Sequence, residues 1–239
     1  DSMIYLPEKL KNIGGYESGV VDSYAAVFDP KLRGHTSMED SWVNSVFFTA
    51  LYLKKNNLLK IDNPADLSEA ELKEVMSFLT EKKKSGQFRK FWSGWEQGIS
   101  LLKSGQVWCM TGWEPIQKQL VRDGINAKYA TPKEGYEGWS INLIRHSSSD
   151  ISSDLCHRVA NWLLGGFYGT YLAAERGYVV PNDLTVAFAT RNLNPDDAKK
   201  VEMTVSNVKR KLENTEYWQT IRPTNYELYE ELWTRFRIS

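Results

Sequence analysis

Apolar residues recur at helical spacing along residues 40–58, where Val43, Val46, Phe47, Ala50, Leu51 and Leu53 fall on one side. The stretch is expected to form an amphipathic helix. Residues 66–84 repeat the pattern, with Ser68 as cap and Glu71 three residues on, the spacing of a capping box. Trp95–Ser104 and Glu114–Asp123 read as helices stopped by Gly105 and Gly124. Among them lie short apolar runs that read as strands or extended segments: Ser2–Leu6, a run starting at Phe91, Val107–Thr111, Ala127–Ala130 and Trp139–Arg145. The remainder is helical in pattern. Ser153–Leu164 places Leu155, Val159, Trp162 and Leu163 inward, and Phe167–Arg176 runs to Gly177. Asp196–Leu212 carries Val201, Val205, Val208 and Leu212 as its inner stripe, and Thr224–Phe236 closes the chain with Trp233 inward. Short strands alternating with helices define an α/β chain.

Composition narrows the function. The 239 residues hold 30 Lys and Arg against 30 Asp and Glu, and this balance excludes a general phosphate-backbone binder. The longest apolar run, Val46–Leu53, is far short of a membrane span. Asp1–Leu10 lacks the basic start and apolar run of a secretory signal. Cys109 and Cys156 make no disulfide framework and are read as two small side chains not bonded to each other. His35, His146 and His157 make no ligand cluster, so neither metal nor cofactor is expected. The 9 Trp exceed what a core of this size needs, and rigid indoles in surplus are a common lining for a ligand site.

The order of motifs then matters. Phe28-Asp29-Pro30-Lys31-Leu32-Arg33-Gly34 leads into the long helix. It is followed by Phe91-Trp92-Ser93-Gly94, Leu102-Lys103-Ser104-Gly105-Gln106-Val107, Pro132-Lys133-Glu134-Gly135, Trp139, Gly177-Tyr178-Val179-Val180-Pro181-Asn182 and Leu228-Tyr229-Glu230-Glu231. Over nearly its whole length the chain resembles the spermidine/putrescine-binding group of ABC-importer solute-binding proteins. The resemblance implies a type II periplasmic-binding-protein fold, two α/β lobes joined by a hinge and closing on a ligand. It assigns residues 1–25 to part of lobe one, 26–135 to lobe two, and 136–239 to the return into lobe one and the C-terminal helices. The first crossing falls near Val21–Phe28 and the return near Lys133–Trp139. About a hundred residues that family members carry ahead of the strand matching Ser2–Leu6 have no counterpart here, so the N-terminal part of lobe one is absent from this sequence. The implied function is capture of a small polar ligand, amine- or amino-acid-like, and its delivery to a membrane permease. The implied protein is a non-catalytic, periplasmic or lipid-anchored extracellular monomer.

The resemblance also implies site residues. Trp139 matches an aromatic on the hinge side, Tyr178 a tyrosine facing the ligand, and Gln219 a polar contact. Trp113 and Glu114 take the place of a strand-end Trp, shifted by one. The family's acidic pair at the start of the long helix falls near Trp42 and Ser45, with the nearest acids, Glu39 and Asp40, displaced from it, and Ser93, Trp95 and Glu137 complete the set. Aromatic faces hold the alkyl part of a cation while carboxylates neutralise its charge. Ile141 stands two residues after Trp139, where polyamine binders place an Asp, so spermidine and putrescine are not expected in the family's usual pose. Glu39, Asp40, Glu114 and Glu137 could hold a cation placed differently, whereas Arg222 and helix N-termini could favour an anion. Trp42, Glu39 and Asp40 equally fit a helix start, Trp42 as core and the acids as complements to the helix dipole. Of Trp92 and Trp95, one fits the core and the other the site, and Trp108 and Trp162 read as core. Two other functions compete: a glycan-active enzyme using Glu114 with Glu137, and the sensing domain of a regulator.

Overall fold

The computed structural model describes residues 1–218 and 222–239. It divides into two compact units, Asp1–Trp139 with Thr215–Ser239, and Ser140–Asn214. The first unit is built on a five-stranded sheet of β1 (Ser2–Tyr5), β2 (Thr36–Glu39), β3 (Phe88–Trp92), β4 (Cys109–Gly112) and β5 (Lys128–Tyr129). Its order is β3-β2-β4-β1-β5. β2 runs parallel to both β3 and β4, while β1 is antiparallel to β4 and to β5. Because β1 shares the sheet with the later strands, residues 1–25 and 26–135 lie in one unit. The lobe boundary expected at 25/26 coincides with no boundary between the units, and the chain leaves this unit after Trp139.

The sheet is covered on both faces, so β1, β4 and most of β2 are buried on every residue rather than on alternate ones, while Arg89 and Lys90 of the edge strand β3 are exposed. Met3 and Tyr5 pack into the core on one face and Ile4 into the core on the other, as the strand's period of two requires. The first core gathers α3 (Trp42–Lys55), α4 (Glu69–Lys84) and α11 (Tyr226–Ile238) around Phe47, Phe48, Leu51, Leu72, Leu79, Trp233 and Phe236. The second is closed by α5 (Trp95–Lys103) and α6 (Glu114–Arg122) around Trp92, Leu102, Met110, Ile116 and Leu120. A Cβ at Gly98 would stand 3.0 Å from Ile116 Cδ1, so glycine lets α5 lie close to α6. Short helices α1 (Pro7–Leu10) and α2 (Ala25–Phe28) complete the first part of this unit.

The expected helix signals are present in detail. Ser68 N donates to Glu71 Oε2 at 2.8 Å, and Glu71 N to Ser68 Oγ at 3.4 Å, closing the capping box. Such a cap stabilises a helix by about 1 kcal/mol. The strand β2, flanked by β3 and β4, has no apolar alternation, and its sequence Thr-Ser-Met-Glu is nonetheless buried at Thr36, Ser37 and Met38. Thr36 Oγ1 donates to Gln87 O at 3.1 Å and Ser37 Oγ donates to Lys90 O. The buried hydroxyls are thereby satisfied by the neighbouring chain and cost little. Trp108 is half-buried rather than core and stacks on His35 with ring centroids 3.6 Å apart.

A two-stranded parallel sheet joins β6 (Tyr136–Gly138) to β7 (Thr215–Trp218), with Gly138 opposite Trp218. A Cβ on Gly138 would come within 2.9 Å of Thr215 and 3.0 Å of the Trp218 ring, so this position requires glycine.

The second unit holds α7 (Ser153–Leu163), α8 (Gly166–Glu175), α9 (Leu184–Asn192) and α10 (Pro195–Glu213). Its core is small: Ala173, Ala189 and Val201, with Gly169 tight against Thr185. The inward stripe expected on α7 is corrected by the structure. Leu155, Val159 and Trp162 are 46%, 45% and 58% exposed, and no residue of α7 is buried. Of the stripe expected on α10 only Val201 is buried, and Leu212 is exposed. The physical reason is that residues 140–214 supply helices and no sheet: Trp162 lies against Phe167 and Tyr168 of α8, with centroids 6.4 and 5.6 Å apart, while Leu155 and Val159 stay uncovered. Trp139–Arg145, expected to be extended, lies outside any strand or helix.

Candidate functional site

The carboxyl ends of the parallel strands β2, β3 and β4 lie together at one edge of the sheet, in the register Glu39 beside Trp92 and Thr36 beside Cys109. In open α/β sheets this edge is where ligands bind. Glu39 ends β2, Ser93 follows β3, and Trp113 follows β4. The residues expected as candidates thus converge here through strand topology.

Glu39 is the chemical centre of the edge. Asn44, in the first turn of α3, donates Nδ2–H to Glu39 Oε2, and the Trp113 side chain is also hydrogen-bonded to the carboxylate. Burial pushes the Glu39 carboxyl above the ordinary range, and the hydrogen bonds from Asn44 and Trp113 offset only part of this. Trp113 is held edge-on to Trp92, with centroids 5.0 Å apart. Trp92 is fully buried and donates its indole N–H to Thr111 O at 3.1 Å. So of the pair Trp92 and Trp95, Trp92 is core. Asn44 was not among the expected site residues. No sequence spacing flags it, because a strand end and a helix start meet at Glu39 and Asn44 only through the intervening turn.

Other candidates have separate places in the first unit. Asp40 accepts from Trp233 Nε1 at 3.2 Å and pairs with Arg237 at 3.1 Å, which fastens α11 to the turn after β2. Trp42 packs on Tyr229 with centroids 5.2 Å apart and covers the first core. Trp95 is half-buried at the start of α5. With Glu96, Ile99, Ser100, Lys103 and Ser104 it lines an open groove of about 420 Å³. Ser93 is exposed; its backbone N–H donates to Gln97 Oε1 at 2.7 Å, and Gly94, at φ +78°, turns the chain into α5. Glu114 is half-buried in the first turn of α6.

Glu137 is 1% exposed on β6, and its carboxylate lies near enough to Tyr24 and Tyr217 to raise both phenols, burial being the larger cause in each. A glycan hydrolase needs two carboxylates flanking one solvent-accessible bond, and a side chain packed among tyrosines does not meet that requirement. Trp139 is half-buried directly after β6. In the second unit, Tyr178 is half-buried in the loop after α8, which Gly177 ends at φ +75°. Asn182 steadies this loop by donating Nδ2–H to Leu164 O at 2.7 Å. Gln219 lies outside the described residues. Cys109 is buried in the first unit and Cys156 half-buried in the second, both as free thiols. Among the described residues no group of three or more His, Cys, Asp or Glu could hold a metal ion, and no helix is long and apolar enough to cross a membrane.

No family profile matches the chain, and no curated protein sequence matches it. Solved structures do match. A putative spermidine/putrescine ABC transporter protein from Listeria monocytogenes superimposes with a TM-score of 0.70 at 18% identity, over 99% of this chain and 66% of its own. The spermidine/putrescine substrate-binding protein PotD of Streptococcus pneumoniae, solved with calcium and HEPES, gives 0.67 at 12% identity, over 99% and 65%. MotA from A. tumefaciens B6, in complex with glucopine, gives 0.63 at 17%, over 99% and 68%. The chain therefore spans about two thirds of the length of these proteins, and what it shares with them is the type II α/β fold of ABC-transporter solute-binding proteins.

Proposed function

We propose that this chain is the ligand-capturing component of an ABC importer, working outside the cytoplasmic membrane with a membrane permease, and that it takes a small polar cation or zwitterion of amine or amino-acid type. The observation that supports the ligand class is Glu39. A carboxylate raised by burial at a sheet's carboxyl edge, beside the Trp113 ring, gains most from a cationic partner that restores its charge. The structural neighbours agree in kind: they include a putative spermidine/putrescine transporter protein, a glucopine-bound protein and a GABA receptor. Trp139 and Tyr178 enter the proposal as aromatic contacts and Glu114 as a second acid. Catalysis is not part of the reading, since no nucleophile and base are assembled around Glu39.

Native mass spectrometry of the protein as purified from its source tests this. A retained adduct with the mass of a small amine or amino-acid derivative, released on denaturation, is the expected result. An adduct of a neutral sugar or an anion, or turnover of a glycoside panel abolished by Glu114→Gln, overturns it.

A further inference from the structure

One face of the first unit is basic although the chain as a whole is neutral. Residues 82–90, from the last turn of α4 into the edge strand β3, carry five Lys or Arg and no Asp or Glu. The turn at residues 29–34 is fastened beside them. Gly34 N donates to Gln87 O at 2.9 Å, Gln87 Nε2 to Asp29 O at 3.0 Å, and Lys82 Nζ to Phe28 O at 3.0 Å. Arg33 thereby joins Lys84, Arg89 and Lys90, and all four are exposed. Arg89 donates from Nε and Nη2 to Gln106 Oε1, each at 3.3 Å, and this neutral acceptor leaves its charge uncompensated. Among the described residues no carboxylate pairs with any of the four, whereas Lys11, Lys55, Lys73, Lys103 and Lys200 each lie within 2.8 Å of an acid. Of the two acids in these segments, Asp29 is held by Tyr16 Oη and the Lys31 amide at 2.9 Å each, and Glu81 lies one residue ahead of the basic run.

We infer that Arg33, Lys84, Arg89 and Lys90 form a contact face for the anionic headgroups of a bilayer surface, held by charge alone. Guarding the free edge of β3 accounts for Arg89 and Lys90, and complementing the dipole of α4 accounts for Lys84. Neither role calls for Arg33, nor for four neighbouring cations without a carboxylate among them. The four stand on a turn, a helix end and an edge strand, spread across a face, which suits a plane of negative charge rather than one small anion. The rings of β3, Phe88, Phe91 and Trp92, pack into the two cores, so no ring is offered for a nucleic-acid base to stack on. The face follows the edge of β3 and the amino ends of β2 and β3, and Glu39 stands at the opposite, carboxyl end of β2. A bilayer on this face therefore leaves the candidate ligand site open. The inference rests on the proposed function only for placing the protein beside a membrane. Lipid binding is measured without ligand or permease, so either reading can fail alone.

Co-sedimentation of the protein purified from its natural source with vesicles tests it. One set of vesicles is equal parts phosphatidylglycerol and phosphatidylcholine, the other phosphatidylcholine alone. Binding to the anionic vesicles alone is expected at about 0.1 M salt, with release at about 1 M, where the screening length falls to about 3 Å. Arg33→Glu/Lys84→Glu/Lys90→Glu is expected to weaken binding about tenfold or more. Lys73→Glu/Lys200→Glu/Lys209→Glu, which changes net charge equally at three lysines that stand beside carboxylates, is expected to keep it. If the first variant does not melt cooperatively, Arg33→Gln/Lys84→Gln/Lys90→Gln takes its place. No binding to the anionic vesicles overturns the inference, as does equal binding to phosphatidylcholine, which would mark an apolar contact. Equal loss in the two triple variants overturns it in favour of net charge. Capture by soluble polyphosphate without capture by vesicles overturns it in favour of a free polyanion.

Discussion

Trp233 donates its indole N–H to the Asp40 carboxylate at 3.2 Å, so the last helix of the chain is tied to the turn at the end of β2. The same indole packs against Phe91 and Phe236 and is 5% exposed. The latch thus combines apolar burial with a charge-assisted hydrogen bond, whereas the Arg237 partner on Asp40 is largely exposed. Trp233→Ala is expected to cost about 3–5 kcal/mol of stability, and Arg237→Ala no more than about 1 kcal/mol. Urea unfolding followed through the tryptophan signal of the first unit measures both. Equal losses from the two variants would show that the ion pair, not the packing, holds α11.

Glu39 makes stability and binding oppose each other in pH. Its folded carboxyl is raised by burial, so the folded state holds a proton that the unfolded chain gives up near its ordinary value. Its contribution is therefore most favourable below the unfolded pKa and declines as pH rises through the raised folded value. Glu39→Gln is expected to show a smaller decline in stability from acid to neutral pH than the natural chain, while weakening a cationic ligand. Thermal melts from pH 4 to 8 on both proteins check the first part. Parallel curves would mean that Glu39 is not strained.

Cys109, at 0% exposure, has its thiol pushed up to about 12 from 9.0 by burial. The neutral thiol persists in the folded state after the unfolded chain has ionised. Its stabilisation is complete below pH 9.0 and is lost as pH rises towards about 12, at about 1.4 kcal/mol per pH unit. Tyr229, pushed up to about 12 mainly by burial, adds a second such loss from 10.0 upward. Cys109→Ala is expected to flatten the fall between pH 9 and 10, where Tyr229 does not yet contribute. Base titration monitored by circular dichroism reads this, and an unchanged slope refutes the burial argument.

What the sequence made legible follows where each residue's signal came from. The helices α3, α4, α5, α6 and α11 carry their own apolar stripes, α5 and α6 end at Gly105 and Gly124, and Ser68 with Glu71 bonds as its spacing requires. β2 escaped because its buried hydroxyls are satisfied by Gln87 and Lys90, partners that no local pattern reveals. The α7 stripe was legible as a stripe, but its cover was not, since a periodicity says which side is apolar and not what lies against it. At the candidate site the resemblance gave Trp113 as a strand-end residue and Glu39 only as an acid near a helix start; the parallel pairing of β2 with β4 brought them together. Asp40, adjacent in sequence, points its carboxylate to α11 instead, because side chains alternate at a strand's end.

Ile141 bears on ligand choice. By the resemblance, Ile141 takes the place of the carboxylate that pairs one ammonium group in the polyamine binders, so that ion pair is missing here, and Ile141 itself is 83% exposed. Spermidine and putrescine are therefore expected to leave the melting temperature of the intact protein unchanged at micromolar concentration. A clear rise with either would show that another acid takes the role, with Glu39 and Glu114 the first to substitute.

The most direct measurement is calorimetric titration of the intact protein, natural and Trp139→Ala, with the molecule that native mass spectrometry finds retained. The account predicts one site per chain, with Trp139→Ala weakening it by roughly 1–3 kcal/mol, about 5- to 150-fold, and with the fold intact by circular dichroism. Unchanged affinity in a correctly folded Trp139→Ala variant would contradict it.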